Sequence, residues 1–277
     1  MKPPTIVAEI GCNHGGSLAT AFKMIDAAAY AGADVVKFQK RDIGSIPDWY
    51  ASRVRNDTHA FGPTEREHRQ ALEFTVDQHH ELKTYAAQRG LTYAASAWDR
   101  QSYKDLLDLG SKYIKIPSAK NIEFLSWNDV IKPEHKIHVA FGMTTLHERL
   151  QIMKFCNDTP NRIPYACSSK YPLEHYEVAL LEIQSLQTLR HGNEVGYSGH
   201  HKGIALDVAA YLLGAQWIER HFTLDRSSKG TDHAASLEPD GLRKLVRDLN
   251  AVRVAWKDKP DGLPAWEIES RKKLKGL

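Results

Sequence analysis

The amino-acid sequence predicts an α/β protein, a TIM (β/α)8 barrel built as a single domain. Eight short runs rich in β-branched residues recur along the chain, and a segment with helical periodicity follows each run. Because parallel strands need a covering crossover, this alternation indicates a parallel sheet. The 277 residues hold these units without an evident linker or repeat, which suits a barrel. An open doubly wound sheet is the alternative, but Gly11–Gly16 lacks the dinucleotide-binding glycine spacing.

The predicted strands are short apolar runs that lie between turn-forming residues. In chain order they are Thr5–Gly11, Val35–Gln39, Thr92–Trp98, Tyr113–Ser118, Lys136–Gly142, Ile163–Ser169, Glu194–His200 and Trp217–Thr223. Functional groups of such barrels gather at the carboxyl ends of the strands. We therefore expect the polar residues at these ends to form one site.

The predicted helices carry their own start and stop signals. The first ends at Gly32, and its apolar face comprises Leu18, Phe22, Ile25 and Ala29. Thr64 and Glu67 have the spacing of a capping box ahead of a helix over Arg66–Arg89, which Gly90 closes. The last helix has an apolar stripe of Leu242, Leu245, Val246, Leu249 and Val252.

The domain prediction is a barrel over residues 1–258 and a charged C-terminal extension over residues 259–277. Two long polar segments, Lys40–Pro63 and Leu224–Leu237, interrupt the regular alternation. In a barrel they are expected to be loops on the catalytic face, where they would close over a bound substrate.

Composition excludes several classes of partner. The net charge is +3, which gives no bulk electrostatic reason to expect a nucleic-acid partner. The longest apolar stretch, Ala205–Ile218, is too short to span a bilayer, so no membrane partner is expected. Three cysteines and an N-terminal segment without the apolar core of a signal peptide favour a cytoplasmic protein.

Two histidines suggest a metal site. His200 and His221 lie at the ends of neighbouring predicted strands, and adjacent strands are about 4.8 Å apart. Two imidazoles at that spacing are able to hold one divalent ion such as Mn²⁺, Zn²⁺ or Fe²⁺, with substrate or water completing the coordination. Two unrelated histidines are the alternative, because the chain contains fourteen.

Two lysines inside apolar strands suggest an anion pocket. Lys37 and Lys115 are costly to bury unless each meets an anion, and the hydroxyls of Ser96, Ser118 and Ser198 lie at neighbouring strand ends. A ligand with a phosphate and a carboxylate would satisfy them. Pairing of each lysine with a carboxylate such as Glu9 is one alternative. A Schiff-base aldolase that uses Lys115 is another.

Six motifs in this order resemble the sialic acid (N-acetylneuraminate) synthase family, over roughly residues 5–240. They are Ala8–His14, Val36–Gln39, Lys115–Ser118, Tyr171–Pro172, Gly196–His200 and Glu219–Asp225. The resemblance implies condensation of phosphoenolpyruvate with a sugar aldehyde, giving a 2-keto-3-deoxy sugar acid and phosphate. It also implies a TIM barrel, a divalent metal with Mn²⁺ or Mg²⁺ as candidates, and a homodimer.

The resemblance also assigns roles to single residues. It places the metal on His200 and His221. Catalytic roles fall to Glu9, Lys37, Lys115 and Asp232, and Glu9 and Asp232 face the acceptor sugar. The phosphoenolpyruvate set is Lys37, Ser96, Lys115, Ser118, Ser169, Tyr171 and Ser198.

The chain departs from the family pattern in several places. Ala140 stands where a serine is common, and Lys120 stands where an acidic residue is common. Lys120 leads us to expect an acceptor that carries a negative charge, such as a sugar phosphate. The antifreeze-like domain that usually follows the family's barrel is not seen, so we expect its contribution to be replaced or unnecessary. A metal-dependent hydrolase and a non-catalytic binding homologue are further alternatives.

Overall fold

The structure, a computed structural model, describes residues 1–170 and 173–277. Eight parallel strands form a closed barrel in chain order, with β1 paired to both β2 and β8. The strands are β1 Thr5–Gly11, β2 Val35–Lys40, β3 Thr92–Ala97, β4 Ile114–Ile116, β5 Ile137–Ala140, β6 Arg162–Cys167, β7 Gly196–Gly199 and β8 Trp217–His221. The predicted TIM barrel is confirmed, because an open sheet would leave β1 and β8 as unpaired edges.

Helices follow the strands along the chain, and the last two come after β8. They are α1 Leu18–Ala31, α2 Asp48–Ala51, α3 Glu65–Leu72, α4 Val76–Gln88, α5 Arg100–Asp108, α6 Leu146–Asn157, α7 Glu182–Leu189, α8 Ala205–Leu212, α9 Pro239–Ala255 and α10 Ile268–Lys275. The predicted end of α1 is confirmed, since Gly32 adopts left-handed backbone with φ of 89°. In the part of the chain that the structure describes, every helix is too short or too polar to cross a membrane.

The prediction of one continuous helix over Arg66–Arg89 is wrong. The capping box of Thr64 and Glu67 starts α3 as predicted, but the chain leaves helical geometry at Glu73. A second capping box then starts α4, in which the Thr75 side chain accepts a hydrogen bond from the amide of Gln78. The break buries Phe74 and brings the carboxylate of Glu73 to the Lys40 side chain, 3.0 Å away.

Several strands are shorter than their predicted ranges. The fourth is the clearest case, because β4 covers only Ile114–Ile116 of the predicted Tyr113–Ser118. Pro117 has no amide hydrogen to donate to the sheet, so the pairing stops before it. The residues beyond Pro117 form a short 3-10 turn that begins at Ser118.

The barrel interior changes from apolar to polar along the strands. One end is filled by a cluster of Val7, Val35, Ala94, Tyr113, Ile163, Tyr165 and Trp217. Side chains two positions apart share one face of a strand. Two positions beyond members of this cluster stand Glu9, Lys37, Ser96, Lys115, Cys167 and Glu219. The alternation of side chains along each strand therefore fills one end of the barrel with apolar residues and places polar and charged residues at the other end.

Candidate active site

A cavity of about 290 Å³ opens at the carboxyl ends of the strands. Its walls come from strands around the whole barrel and from both long loops. The predicted site residues that line it are Glu9, Lys37, Ser96, Lys115, Ser118, Ser169, Ser198, His200, His221 and Asp232. The fold thus brings together ten residues that are spread over most of the chain.

Lys120 is the one predicted site residue in the described part of the chain that does not line this cavity. Tyr171 lies outside the described residues. Lys120 lines a neighbouring pocket instead of the central cavity, and its ammonium pairs with Glu123 at 2.6 Å.

Lys37 is the first of two buried ammonium groups in the cavity. Its Nζ lies 2.7 Å from Glu9 Oε2 and donates to Ser96 Oγ at 2.8 Å. Parallel register explains the first contact, because Lys37 on β2 pairs with Glu9 on β1. Ser96 on β3 pairs with Gln39, which stands two positions beyond Lys37 on the same face of β2. Lys37 therefore meets a carboxylate within the barrel, as in the ion-pair alternative, while it also lines the cavity.

Lys115 is the second buried ammonium group. Its Nζ donates to Glu219 Oε2 at 3.2 Å and lies 3.2 Å from the centre of the Tyr165 ring. The other oxygen of Glu219 accepts from Ser198 Oγ at 3.1 Å and is 3.7 Å from Lys37 Nζ. Glu219 therefore connects both lysines and one hydroxyl.

Sequence reasoning missed Glu219 as a site residue. The signal for it was available, because Glu219 and His221 stand two positions apart on β8 and share its inner face. Its pairing partner could not be deduced from β8, since Lys115 comes from β4 across the barrel.

Burial and mutual charge set the protonation of this network. Burial raises the pKa of Glu9, repulsion from Glu219 raises it further, and Lys37 opposes the shift. For Glu219 burial acts in the same direction, but Lys115 and Lys37 outweigh it and lower the pKa. Burial lowers the pKa of Lys115 to about 8, although Glu219 opposes this shift. Glu219 is thus the stable anion of the network, and Glu9 is able to carry a proton.

The two histidines predicted to bind metal lie side by side. The ring centres of His200 and His221 are 5.4 Å apart, and His200 Nδ1 lies 2.8 Å from the carbonyl oxygen of Ser168. Asp232 Oδ2 is 3.8 Å from His221 Nδ1. Burial lowers the pKa of His221, which favours the neutral imidazole that ligates a metal.

This donor set fits a divalent ion that takes its other ligands from substrate or water. Two neighbouring imidazoles suit Mn²⁺, Fe²⁺ or Zn²⁺. Within residues 1–170 and 173–277 there is no group of three His, Cys, Asp or Glu side chains placed to hold a metal.

Ser118 and Ser169 stand on either side of Cys167 on another part of the wall. Cys167 Sγ lies 3.7 Å from Ser118 Oγ and 3.8 Å from Ser169 Oγ. Gly142 makes this approach possible, because a Cβ there would stand 2.2 Å from Ser169 Oγ and 2.7 Å from Ser118 Oγ. Ala140, which replaces the family's common serine, also lines the cavity and adds no hydroxyl.

The two long loops meet over the cavity. The amide of Gly230 donates to His59 Nδ1 at 3.3 Å, and Lys229 Nζ lies 4.8 Å from the centre of the Phe61 ring. Phe61, Gly230, Thr231 and Asp232 all line the cavity. The loop segments predicted on the catalytic face are therefore found there.

Comparison with known proteins identifies the family. The NeuB family matches residues 24–260, which is most of the chain. The chain belongs to the NeuB family. Among its relatives, N-acetylneuraminate-9-phosphate synthase of Homo sapiens is 38% identical over 276 residues, covering 98% of this chain and 76% of the relative. N,N'-diacetyllegionaminic acid synthase of Campylobacter jejuni is 34% identical and covers 93% of this chain and 79% of the relative.

Solved structures agree with this assignment. A sialic acid synthetase of Leptospira borgpetersenii, solved with citrate, superposes with a TM-score of 0.81 at 27% identity. The match covers 99% of this chain and 93% of the other. A truncated 3-deoxy-D-arabino-heptulosonate 7-phosphate synthase of Thermotoga maritima, 14% identical with a TM-score of 0.64, shares the fold. The predicted family and the predicted class of enzyme, a phosphoenolpyruvate-dependent sugar acid synthase, are confirmed.

Proposed function

We propose that this NeuB family member condenses phosphoenolpyruvate with an N-acetylmannosamine-like aldose, free or phosphorylated, to give a nonulosonate sugar acid and phosphate. The observation that carries the proposal is the pair of buried ammonium groups, Lys37 and Lys115, which line one cavity with the imidazoles of His200 and His221. Cations and hydroxyls suit an anionic donor, and two imidazoles suit a metal beside it.

The proposed phosphoenolpyruvate site is the lysine and hydroxyl wall. Lys37 and Lys115 would bind the carboxylate and phosphate, and the hydroxyls would orient them. These hydroxyls belong to Ser96, Ser118, Ser169 and Ser198, with Tyr171 kept as a prediction. Glu219 would hold both ammonium groups in place between turnovers, because its oxygens already contact them.

The proposed reaction forms one carbon–carbon bond and releases phosphate. C3 of phosphoenolpyruvate attacks the aldehyde carbon, C2 becomes electron-poor, and water adds there before the C2–O bond to phosphate breaks. Glu9 is able to give a proton to the aldehyde oxygen or take one from the attacking water, since its pKa is raised by burial. Asp232 would orient an acceptor hydroxyl from the loop above.

We propose that His200 and His221 hold a divalent ion, with Mn²⁺ favoured over Mg²⁺, Zn²⁺ or Fe²⁺. Such an ion supplies Lewis-acid chemistry to the acceptor aldehyde when it is bound. The chain's own part is to present two imidazoles, that of His221 kept neutral by burial, and to keep Asp232 beside it, 3.8 Å away.

Product analysis tests this proposal. The protein is incubated with phosphoenolpyruvate, divalent metal and a panel of aldoses and their phosphates, and products are read by mass. We expect phosphate release that requires both substrates and stops with EDTA. His200→Ala and His221→Ala should abolish it, whereas His147→Ala, an exposed histidine on α6, should not. Full activity in both site variants would refute the metal assignment.

One observation favours a second candidate, a Schiff-base aldolase. The lowered pKa of Lys115, about 8, makes its amine a better nucleophile near neutral pH. Borohydride would then trap a covalent adduct on Lys115, and chelators would leave the rate unchanged. We expect no adduct, because the Lys115 ammonium already contacts Glu219 and the Tyr165 ring.

The oligomeric state, the domain boundaries and the cellular location of the protein are further proposals. We propose a homodimer, a barrel domain over residues 1–258 with a peripheral extension, and a cytoplasmic enzyme. Sedimentation velocity tests the dimer, and a single species at the monomer mass, 31.3 kDa, would refute it.

A further inference from the structure

Arg220 is a charged residue in an apolar layer of the fold. It stands on β8 between Ile218 and Phe222, which are both fully buried in the hydrophobic core. Alternation places these three side chains on the outer face of the strand, away from the cavity that His221 lines. Arg220 is itself 1% exposed, and its guanidinium pairs with the carboxylate of Asp207 on α8, which is 0% exposed. The layer between sheet and helix therefore contains a fully desolvated ion pair.

Stability alone does not explain an ion pair at this depth. Desolvation of two charges offsets most of their attraction, and apolar residues of the same volume often stabilise a core equally well or better. What such a pair does provide is a fixed arrangement, because the planar guanidinium donates hydrogen bonds in set directions. The hydrogen-bond partners of the Arg220 guanidinium therefore indicate its role.

The guanidinium of Arg220 holds the chain segment that follows β7. Nη2 donates to the carbonyl oxygen of His201 at 2.6 Å, and Nη1 donates to the carbonyl oxygen of Gly203 at 2.8 Å. The register between β7 and β8 ends at the pair of Gly199 and Arg220. Beyond that pair, the side chain continues the connection between the two strands that backbone pairing makes before it.

Both backbone segments joined in this way carry a proposed metal ligand. His201 directly follows His200, and Arg220 directly precedes His221. His200 and His221 line the cavity, with their ring centres 5.4 Å apart. One side chain on the far side of the barrel wall therefore fixes how far apart the two imidazoles stand.

Gly199 and the His201 ring keep the guanidinium in place. A Cβ on Gly199 would stand 3.0 Å from Arg220 Cδ and 3.0 Å from Asp207 Oδ1, so glycine leaves the space that the ion pair fills. His201 Nε2 lies 3.3 Å from Arg220 Nη1, and His201 Nδ1 lies 3.2 Å from the Tyr197 hydroxyl. The cluster is therefore packed tightly enough to hold one arrangement.

We propose that Arg220 is a positioning residue for the proposed metal site, which sets the spacing of the two imidazoles so that both reach one divalent ion. This inference rests on the proposed function, because it takes over the assignment of His200 and His221 as ligands. Residues that orient metal ligands from outside the coordination sphere change metal affinity about 10- to 100-fold when they are replaced. Arg220 would act through the backbone of its neighbours and would touch neither metal nor substrate.

The test measures Mn²⁺ affinity and stability separately. The Kd for Mn²⁺ is obtained by titration of the metal-free protein, with free Mn²⁺ read by electron paramagnetic resonance. The free energy of unfolding is measured by chemical denaturation in EDTA. The proteins are the wild type, Arg220→Lys, Arg162→Lys and His200→Ala. Lysine keeps the positive charge of Arg220 but lacks the planar fork that reaches two carbonyl oxygens. We expect Arg220→Lys to raise the Kd about 10- to 100-fold.

Arg162→Lys is the matched control. Arg162 is also a buried arginine on a barrel strand, and its Nη1 donates to the carbonyl oxygen of Phe155 at 2.7 Å and to Asp158 Oδ2 at 3.0 Å. It is the first residue of β6, so it lies at the end of the barrel opposite to the cavity. Its replacement should change the Kd for Mn²⁺ by less than about threefold, because distant sites act independently.

A purely structural role of Arg220 predicts a different result. Arg220→Lys would then lower the free energy of unfolding and leave the Kd within about threefold of the wild type, and this outcome would overturn the inference. If Arg220→Lys does not fold, Asp207→Asn makes the same comparison, because it keeps the shape of the side chain and removes the charge that holds the guanidinium. A Kd raised more than about threefold in that variant would support the positioning role, and an unchanged Kd would refute it.

Failure of the proposed function gives a separate result. If the wild type binds Mn²⁺ but condenses no acceptor with phosphoenolpyruvate, the proposed function fails, and the Kd of Arg220→Lys still decides the positioning role. If the wild type binds no Mn²⁺, or His200→Ala binds it equally well, the metal assignment and the positioning role are both overturned.

Discussion

At the scale of single residues, Lys115 determines a pH dependence. Burial lowers the pKa of Lys115 to about 8, and Glu219, Lys37 and Cys167 are the charged or titratable groups that act on it most strongly. The ammonium form binds an anion and the neutral amine does not. With Lys115 in the proposed phosphoenolpyruvate site, we expect affinity for phosphoenolpyruvate to be present below this pKa and to be lost as the pH rises through it.

We predict that kcat/KM for phosphoenolpyruvate falls about tenfold per pH unit above about pH 8, as for one titrating group. Lys115→Arg should move this decline to higher pH, because arginine stays protonated. Lys112→Arg, an exposed lysine just before β4, is the control and should leave the profile unchanged. A flat wild-type profile up to pH 10 would contradict the assignment.

Tyr165 gives a second prediction at this scale. Its ring lies under the Lys115 ammonium, and its hydroxyl is 2.9 Å from Nδ1 of buried His138. Tyr165→Leu removes the ring and should weaken phosphoenolpyruvate binding by about 0.5–2 kcal/mol.

Tyr165→Phe is the matched variant, because it keeps the ring and removes only the hydroxyl. It should lower the free energy of unfolding by about 1–3 kcal/mol, since His138 loses a buried partner, while KM for phosphoenolpyruvate stays unchanged. Equal KM values in the leucine and phenylalanine variants would argue against a role for the ring.

At the scale of elements, the break between α3 and α4 is the clearest feature. The Thr75 hydroxyl caps α4, and Glu73 just before it binds Lys40. Thr75→Ala should lower the free energy of unfolding by about 1 kcal/mol, as measured by chemical denaturation.

Thr84→Ala is the control for this cap. Thr84 is exposed within α4, and its hydroxyl only donates back to the carbonyl of His80. Its replacement should change stability by less than about 0.5 kcal/mol. An equal loss of unfolding free energy in both alanine variants would show that the Thr75 cap does not stabilise the start of α4.

At the scale of the whole molecule, the C-terminal extension, residues 259–277, contributes little to the barrel core. In α10 no residue is buried, and Trp266 and Leu274 stay exposed. A chain ending at residue 258 should unfold cooperatively, within about 0.5 kcal/mol of the full chain. Leu249→Ala in α9 should instead cost about 2–5 kcal/mol, because Leu249 is buried in the core. Loss of cooperative unfolding on truncation would show that the segment belongs to the barrel.

The sequence by itself determined the features that are local and periodic. Alternation of side chains placed Glu9, Lys37, Ser96 and Lys115 inside the strands, and caps and glycines marked where α1 and α3 begin or end. The sequence also predicted the family, because the motifs are contiguous segments. Each of these signals is carried by neighbours along the chain, so no knowledge of distant contacts is needed.

Only the tertiary structure decided which charges meet. Barrel closure brings Glu219 of β8 to Lys115 of β4, and the break after α3 brings Glu73 to Lys40. It also places Lys120 outside the central cavity, beside Glu123. These outcomes depend on register and loop packing between segments far apart in sequence. Since the energy of a charge depends on its nearest counter-ion and its burial, the pairing is fixed only when the fold has closed.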